Sequence, residues 1–184
     1  MKVISGSFRG LNLKPVPGKN TRPTSGKVKE AMFSMITPYF KQGIALDLFA
    51  GTGSLGIEAV SRGYEKAYLV DKAYKAINVI SENVEKTRHA EQFSIMKRSA
   101  NDALLSFSEQ SLKFDLVFLD PPYRMKITED LIKTMIDNNL LADNAIIVDE
   151  TDYDVDLVGL GSVELLRKKD YKDTKVVLYK FGGN

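Results

Sequence analysis

The stretch LDLFAGTGSLGIEA, residues 46–59, decides the fold of this 184-residue chain. An apolar strand runs into Gly51, Gly53 and Gly56, which are spaced as G-x-G-x-x-G, and an apolar helical segment follows. Glycines at this spacing are typical of a tight turn that lets the backbone and a helix N-terminus approach a bound ligand. The sequence therefore predicts a cofactor-binding loop between the first strand and the next helix of an α/β domain.

Apolar strands alternate with amphipathic helices from residue 44 onward. The predicted strands are 44–50, 66–71, 93–98, 114–120 and 145–150, and the predicted helices are 54–62, 73–88, 101–107 and 127–139. Such an alternation indicates a parallel sheet with helices on both faces. Two further strands, 163–169 and 174–181, leave no room for a helix between them and predict an antiparallel hairpin. The fold class is α/β and Rossmann-like, with a mostly parallel seven-stranded sheet.

Residues 1–43 are predicted to form a basic extension, a small hairpin followed by a helix, ahead of a domain at 44–184. The extension holds eight Lys and Arg residues and one acid, Glu30, whereas the rest holds 18 basic and 23 acidic residues. A basic arm on a mildly acidic body favours a polyanionic partner, but an ordinary solvated surface explains the charge equally well. The acidic run 149–156 is expected to be a solvated loop.

The residue inventory excludes several classes of protein. The chain has no cysteine and one histidine, His89, which rules out disulfides and thiolate chemistry and disfavours a histidine metal cluster or a Ser/His/Asp triad. No apolar run approaches membrane-spanning length, and the first ten residues lack a signal-peptide core. We therefore expect a cytoplasmic protein with neither a metal site nor a membrane segment.

Three aspartates point to the kind of cofactor. Asp71 ends the second strand, 20 residues after Gly51, where a carboxylate accepts hydrogen bonds from ribose hydroxyls. Asp47 lies close enough to the loop to repel a pyrophosphate and would suit a cationic amine, as in S-adenosylmethionine. Asp102 follows the third strand, where it could accept a hydrogen bond from an adenine amino group or cap the next helix.

The segment FDLVFLDPPY, residues 114–123, gives a strand an abrupt exit. Two prolines cannot donate to a sheet ladder, and they fix the backbone beside Asp120 and Tyr123. In isolation, the four residues 120–123 would predict an ordinary turn. Their position at the carboxyl end of a strand, in register with the glycine loop, favours a ligand site instead.

Taken in order, these motifs resemble the class I S-adenosylmethionine-dependent methyltransferases, in which Asp-Pro-Pro-Tyr accompanies methylation of exocyclic amines. The segments SGSFRGLNL (5–13), TRPTSGKVKEAMFSMI (21–36), LDLFAGTGSLGIEAVSRG (46–63) and DYKDTKV (170–176) extend the resemblance to the RsmD family over essentially the whole chain. That family methylates N2 of a guanine in bacterial 16S ribosomal RNA. Gly26 departs from the acid usual in the family, so we assign it no side-chain role.

The resemblance implies a set of site residues. Cofactor contacts are expected from Asp47, Ala50, Gly51, Gly53, Asp71, Lys72, Asp102 and Asp120, and catalytic roles from Asp120, Pro121, Pro122 and Tyr123. Contacts to RNA phosphates are expected from Arg9, Lys14, Arg22 and Lys27, with Lys19 and Lys29 as further candidates and structural ion pairs as the alternative. The implied partner is 16S rRNA in the small subunit or an assembly intermediate, bound by a monomer.

Three other functions remain compatible with parts of the sequence. An adenine-N6 methyltransferase acting on DNA or RNA would use the same Asp-Pro-Pro-Tyr chemistry, although the chain has no insertion large enough for a DNA-reading domain. A nucleotide-binding oxidoreductase would explain the glycine loop but not the proline motif or the basic arm. A non-catalytic RNA-binding module is disfavoured by the presence of both Asp120 and Tyr123.

Overall fold

A computed structural model describes residues 1–18, 26–122, 126–172 and 174–182. Its strands are β1 Ile44–Asp47, β2 Lys66–Asp71, β3 Phe93–Lys97, β4 Phe114–Leu119, β5 Leu141–Thr151, β6 Val163–Tyr171 and β7 Thr174–Phe181. They form one sheet in the order β3-β2-β1-β4-β5-β7-β6. The first five strands are mutually parallel, and β7 runs antiparallel to β5 and β6. The seven-stranded sheet with an antiparallel end, predicted from sequence, is confirmed.

Helices cover both faces of the sheet, which explains why the central strands are apolar along their whole length. The helices are α1 Gly26–Ile36, α2 Ser54–Ser61, α3 Tyr74–Thr87, α4 Ala100–Glu109 and α5 Thr128–Asp137. One core joins α1, α2 and α3 to the side chains of Leu116 and Phe118 in β4. The other core joins α4 and α5 to Val117 and Leu119 of the same strand. No helix among the described residues is long and apolar enough to cross a bilayer.

The glycine loop begins earlier than the apolar pattern suggests. Strand β1 stops at Asp47, three residues before the predicted end at residue 50, because the chain turns away from the sheet there. Helix α2 then packs closely on β2, since a Cβ atom at Gly56 would lie 2.2 Å from Cδ2 of Leu69. Gly56 is thus needed for helix–strand contact, the part that the third glycine of the motif plays.

The N-terminal extension lies against the body of the protein. The expected hairpin is reduced to one antiparallel bridge, between Lys2 and Asn12, among the described residues. Val3 and Leu13 are buried in the same core as Met32 of α1. The functional division at residue 43 stays a prediction.

A buried carboxylate fastens this extension. Oε2 and Oε1 of Glu58 accept the backbone N–H groups of Ile4 and Ser5 at 2.8 and 3.0 Å. The same carboxylate meets Lys29 Nζ at 3.1 Å and Arg62 Nε at 2.9 Å. Lys29 is fully buried and also donates to the Lys2 carbonyl at 2.8 Å. The prediction that Lys29 contacts RNA is therefore wrong, because its ammonium is buried and bonded to Glu58 and to the Lys2 carbonyl.

Candidate functional site

The candidate site lies where the strand order reverses, between β1 and β4. Asp47, the last residue of β1, is in register with Phe118 of β4, so the two strands end at the same edge of the sheet. The glycine loop leaves β1 at this edge, and the segment that begins with Asp120 leaves β4 beside it. Open α/β sheets bind ligands in the crevice at such a switch point.

The glycine loop presents its backbone to this crevice. Gly51 and Gly53 have φ of +55° and +77°, in the left-handed region that glycine adopts at little cost. The loop is closed by the Gly53 N–H, which donates to the Ala50 carbonyl at 2.6 Å, while the Ala50 N–H donates to Val70 of β2 at 2.8 Å. A Cβ atom at Gly51 would meet only the Phe49 carbonyl, at 3.9 Å, among the described atoms. The space beside Gly51 is therefore open to a ligand.

Asp71 ties the loop to the end of β2. Its Oδ2 accepts the Gly51 N–H at 2.9 Å, and its Oδ1 accepts the Ala73 N–H at 2.8 Å. A carboxylate offers about four acceptor positions, so two backbone bonds leave capacity for two hydroxyl groups. The position of Asp71 thus fits the ribose contact expected from the sequence.

Asp47 is sealed beneath the loop. Its side chain is buried, and Oδ2 accepts the Gly56 N–H at 3.1 Å, satisfying a donor in the first turn of α2 that has no partner within the helix. Burial raises the pKa of Asp47 to about 7, with the bond from Gly56 opposing and the charge of Asp71 adding to this shift. A nearby cation would favour its ionised form, but contact with a cofactor amine stays a prediction.

A cavity of about 470 Å³ lies beside the carboxyl ends of β2 and β3 and along α4. Lys72, Arg98 and Asp102 are among the residues that line it. Ser99 caps α4 by accepting the Asp102 N–H at 3.2 Å, and its hydroxyl donates to Asp102 Oδ2 at 2.6 Å. Asp102 therefore helps to cap α4 and also faces the cavity, whose size suits a base or a small ligand.

The Asp-Pro-Pro-Tyr segment starts directly after β4. Asp120 is half-buried, Pro121 is buried and Pro122 is exposed. Tyr123, like Lys19 and Arg22 of the basic arm, lies outside the described residues. The geometry thus positions the first three residues of the motif at the edge that holds the glycine loop.

Asp149 holds the start of α5, which follows the segment 120–127, and the sequence did not reveal this role. It lies in β5 in register with Leu119, and its Oδ1 accepts the hydroxyl proton of Thr128 at 3.1 Å. It is fully buried, which raises its pKa to about 7, with the Thr128 bond opposing the shift and Glu129 and Glu150 adding to it. The prediction of a solvated loop from residue 149 is wrong for 149–151, because β5 continues to Thr151.

A second contact holds the returning end of this segment. The Tyr153 hydroxyl accepts the Thr128 N–H at 3.2 Å and donates to Glu129 Oε2 at 3.1 Å. Oε1 of Glu129 accepts the Asp156 N–H at 3.0 Å, so the loop after β5 is joined to the first turn of α5. These bonds fix the start of α5 relative to β5, next to the residues that follow Asp120.

Two of the expected basic residues lie at opposite ends of the molecule. Arg9 lies in a turn held by Ser61, which accepts the N–H groups of Ser7 and Phe8 at 2.8 and 2.9 Å. Ser61 ends α2 near the amino end of β2, so Arg9 and Asp120 are at opposite edges of the sheet. Lys14 lies near the glycine loop, and its ammonium pairs with Glu82. Lys27 is exposed in the first turn of α1.

Asn83 connects the extension to the glycine loop and was missed in the sequence. This fully buried side chain accepts the Lys14 N–H at 2.7 Å and donates to the carbonyls of Lys14 and Thr52, both at 3.0 Å. Thr52 lies between the two glycines of the loop. An asparagine three residues after Ile80, on the apolar face of α3, is the signal that could have identified it.

Acidic and histidine side chains do not assemble into a metal site in the described part of the chain, where no group of three or more is suitably placed. The residues gathered at the switch point are instead backbone donors, carboxylates and a rigid strand exit. This set suits an organic cofactor that carries hydroxyl groups and a positive charge.

Comparison with known proteins adds a family to this geometry. The family model described as "conserved hypothetical protein 95" matches residues 1–180. The chain is 42% identical to YlbH of Bacillus subtilis over the whole of both sequences. It is 35% identical to ribosomal RNA small subunit methyltransferase D of Haemophilus influenzae, covering 100% of this chain and 94% of that protein. The solved structure of yhhF from Escherichia coli superposes with a TM-score of 0.85 at 30% identity, covering 100% and 99% of the two chains.

Proposed function

The chain belongs to the RsmD family of methyltransferases, and from this premise we propose that it methylates the exocyclic N2 amine of a guanine in 16S rRNA. The methyl donor is S-adenosylmethionine. One observation supports the reaction above all: the glycine loop, Asp71 and Asp120 meet at one switch point of the sheet. Amine methylation requires a cofactor-binding loop close to a fixed pair of hydrogen-bond acceptors. Adjacent strand ends can supply both.

The protein's part in the reaction is to bind and to orient. When bound, S-adenosylmethionine supplies an electrophilic methyl group. Asp71 would accept hydrogen bonds from the ribose hydroxyls, and the open backbone at Gly51 would permit close approach of the donor. Asp102 and Lys72 line a cavity that would hold the adenine.

The target amine is a poor nucleophile, because its lone pair is delocalised into the guanine ring. The carboxylate of Asp120 and the carbonyl of Pro121 accept its two N–H groups and turn the lone pair toward the methyl group. Positioning of this kind supplies up to roughly 7–11 kcal/mol of a barrier in favourable cases. Acceptors fixed by two prolines also stabilise the positive charge that develops on nitrogen.

The base must leave its helix to reach this edge, so a loop or a flipped guanine is the substrate. Tyr123 stacks on the base, a contact worth about 1–3 kcal/mol. Lys14, Arg22 and Lys27 contact RNA phosphates, Lys14 near the glycine loop and Lys27 at α1, and Arg9 contacts a more distant part of the RNA. The enzyme acts as a cytoplasmic monomer on 16S rRNA in the small subunit or an assembly intermediate.

Identification of the methylated nucleoside tests this function. The protein is incubated with labelled S-adenosylmethionine and, separately, with naked 16S rRNA, assembled small subunits and DNA. N2-methylguanosine in rRNA is the expected product. N6-methyladenosine would establish the rival adenine chemistry, and a protein that binds RNA or nicotinamide nucleotides without methyl transfer would refute the proposal.

Asn83→Asp should weaken cofactor binding by about 5- to 150-fold, the range that corresponds to losing buried hydrogen bonds worth about 1–3 kcal/mol. The new carboxylate cannot donate to the carbonyls of Lys14 and Thr52, so the glycine loop loses its tie to the extension. Calorimetric titration with S-adenosylhomocysteine measures the change.

Glu82→Gln is the matched control for that variant. It removes the exposed ion pair with the Lys14 ammonium but leaves the backbone of Lys14 bound to Asn83. Exposed ion pairs contribute about 0–1 kcal/mol, so the control should bind the cofactor almost normally. Equal weakening in both variants would show that Asn83 does not act on the glycine loop.

A further inference from the structure

We propose that one face of β6 is a second RNA-binding surface, which holds phosphates beside the methylation site. This surface, the β6 basic face, consists of Arg167, Lys169 and the following turn residue Lys172. The inference rests on the proposed function for the identity of its partner. It adds RNA contacts by residues that lie far in sequence from the basic arm, residues 1–43.

The pairing of β6 with β7 places Arg167 and Lys169 on one face. Arg167 is in register with Leu178, and Lys169 with Val176. Both β7 residues point into the core shared with α1, α2 and α3. Directly paired residues project to the same side of a sheet, so the two cations lie on the side covered by α1. Lys27, exposed at the start of α1, belongs to this same side.

The other face of β6 carries cations as well, but its acids neutralise them. Lys168 is in register with Val177, which belongs to the opposite core. Lys168 Nζ lies 2.6 Å and Lys175 Nζ 2.8 Å from Oδ1 of Asp154. Near the turn of the hairpin, Lys168 and Lys175 thus pair with an acid on the side of α5, whereas the pair of Lys180 with Glu164, 3.9 Å apart, lies further along on the α1 side.

The cations of the β6 basic face meet aromatic rings instead of acids. The Arg167 guanidinium lies 6.0 Å from the Tyr39 ring centroid, and Lys169 Nζ lies 5.5 Å from that of Tyr171. Arg167, Lys169 and Lys172 have no ion pair with an acid in the described ranges, and all three are exposed. Exposed cations next to aromatic rings suit phosphates flanked by unstacked bases.

This surface lies at the same edge of the sheet as Asp120. The turn between β6 and β7 begins after Tyr171, and the Thr174 hydroxyl donates to the carbonyl of Thr151, which ends β5. Because β6 lies three strands from β4, about 14 Å separates it from the strand of Asp120. Successive phosphates of a nucleic-acid strand are only a few ångströms apart along its axis, about 3.4 Å in B-form DNA, so a short stretch of RNA spans the gap.

Edge strands also carry lysines that prevent pairing with other chains, and β6 is an edge strand. That protective role needs charge on the edge but gives no reason for Lys168 and Lys175 to pair with Asp154 while Arg167, Lys169 and Lys172 meet no acid among the described residues. The separation of the cations of the β6 basic face from acidic side chains favours a polyanion that binds from the α1 side. RNA is the polyanion that the neighbouring site requires.

The test compares two double variants of equal charge change. Lys169→Gln with Lys172→Gln removes two cations of the β6 basic face, whereas Lys168→Gln with Lys175→Gln removes the two cations bound to Asp154. Affinity for in vitro transcribed 16S rRNA is measured at several salt concentrations, with S-adenosylhomocysteine affinity as a check on the site. We expect the first variant to bind RNA about tenfold more weakly and to lower the slope of log affinity against log salt by about 1.5.

The control variant should change the salt slope by less than half as much. Equal slopes in the two variants, or an unchanged slope in the first, would overturn the β6 basic face as a phosphate-binding surface. The binding measurement needs no methyl transfer, so it is separate from the nucleoside assay. Failure of the proposed function would appear there as missing N2-methylguanosine with the wild-type protein.

Discussion

Asp120→Ala is expected to lower the rate of methyl transfer by about 10²–10³-fold, the range found when one preorganised polar group is removed from an active site. The alanine cannot accept an N–H of the guanine amine, so the lone pair is no longer held toward the methyl group. Since the cofactor contacts proposed for Asp71 and the glycine loop lie at the ends of β1 and β2, the dissociation constant of the cofactor should change little. Single-turnover kinetics and calorimetric titration measure the two quantities separately.

Asp102→Asn is the contrasting variant, because Asp102 lines the cavity along α4 and is not expected to contact the target amine. Asparagine preserves the size of the side chain beside Ser99, so α4 should form normally. Its amide changes the group that faces the adenine cavity, so we expect a higher KM for the cofactor with a nearly unchanged kcat. If Asp120→Ala instead lost cofactor binding and transfer to the same extent, Asp120 would be a cofactor-binding or structural residue.

The sheet and the cofactor loop could be predicted because their signals are local. Five apolar runs separated by helical periodicity define the parallel strands, and the spacing of Gly51, Gly53 and Gly56 defines the turn that begins α2. The open space beside Gly51 and the tight contact at Gly56 both follow from the absence of a side chain. These features need no knowledge of which segments meet in space.

The errors concern residues whose roles depend on distant partners. Lys29 is a cation in a basic segment, and only the fold reveals that Glu58 meets it inside the core. Asp149 begins an acidic run, yet it lies inside β5, in register with Leu119, and bonds to Thr128 at the start of α5. Arg9, whose contact with RNA stays a prediction, lies only five residues before Lys14, but the turn at Ser61 carries it to the opposite edge of the sheet.

Buried polar residues form the main group that sequence patterns do not assign. Asn83 and Glu58 both lie on helices whose apolar stripes were recognised, and both join the N-terminal extension to the body. A buried polar group is tolerated only when its hydrogen bonds are satisfied. Their partners in the extension are backbone groups 53–69 residues away along the chain, which no local spacing indicates.

Glu58→Ala should destabilise the protein by about 3–5 kcal/mol, the cost of leaving a buried charge without its partner. Lys29 would remain fully buried with its ammonium bonded only to the Lys2 carbonyl among the contacts described. The N–H groups of Ile4 and Ser5 would also lose their acceptors, so the extension should detach before the sheet unfolds. Urea unfolding gives the free energy, and hydrogen exchange of residues 3–13 reports the detachment.

Replacing both charged partners separates the ion pair from the backbone contacts. Glu58→Gln combined with Lys29→Met removes these two buried charges, but it leaves Arg62 without its carboxylate and keeps only one side-chain oxygen for the N–H groups of residues 4 and 5, so it should recover part of the lost stability. Asp137→Asn is the surface control, because its pair with Lys133 is more than half exposed and should contribute under about 1 kcal/mol. A Glu58→Ala variant no less stable than Asp137→Asn would show that the buried carboxylate does not hold the extension in place.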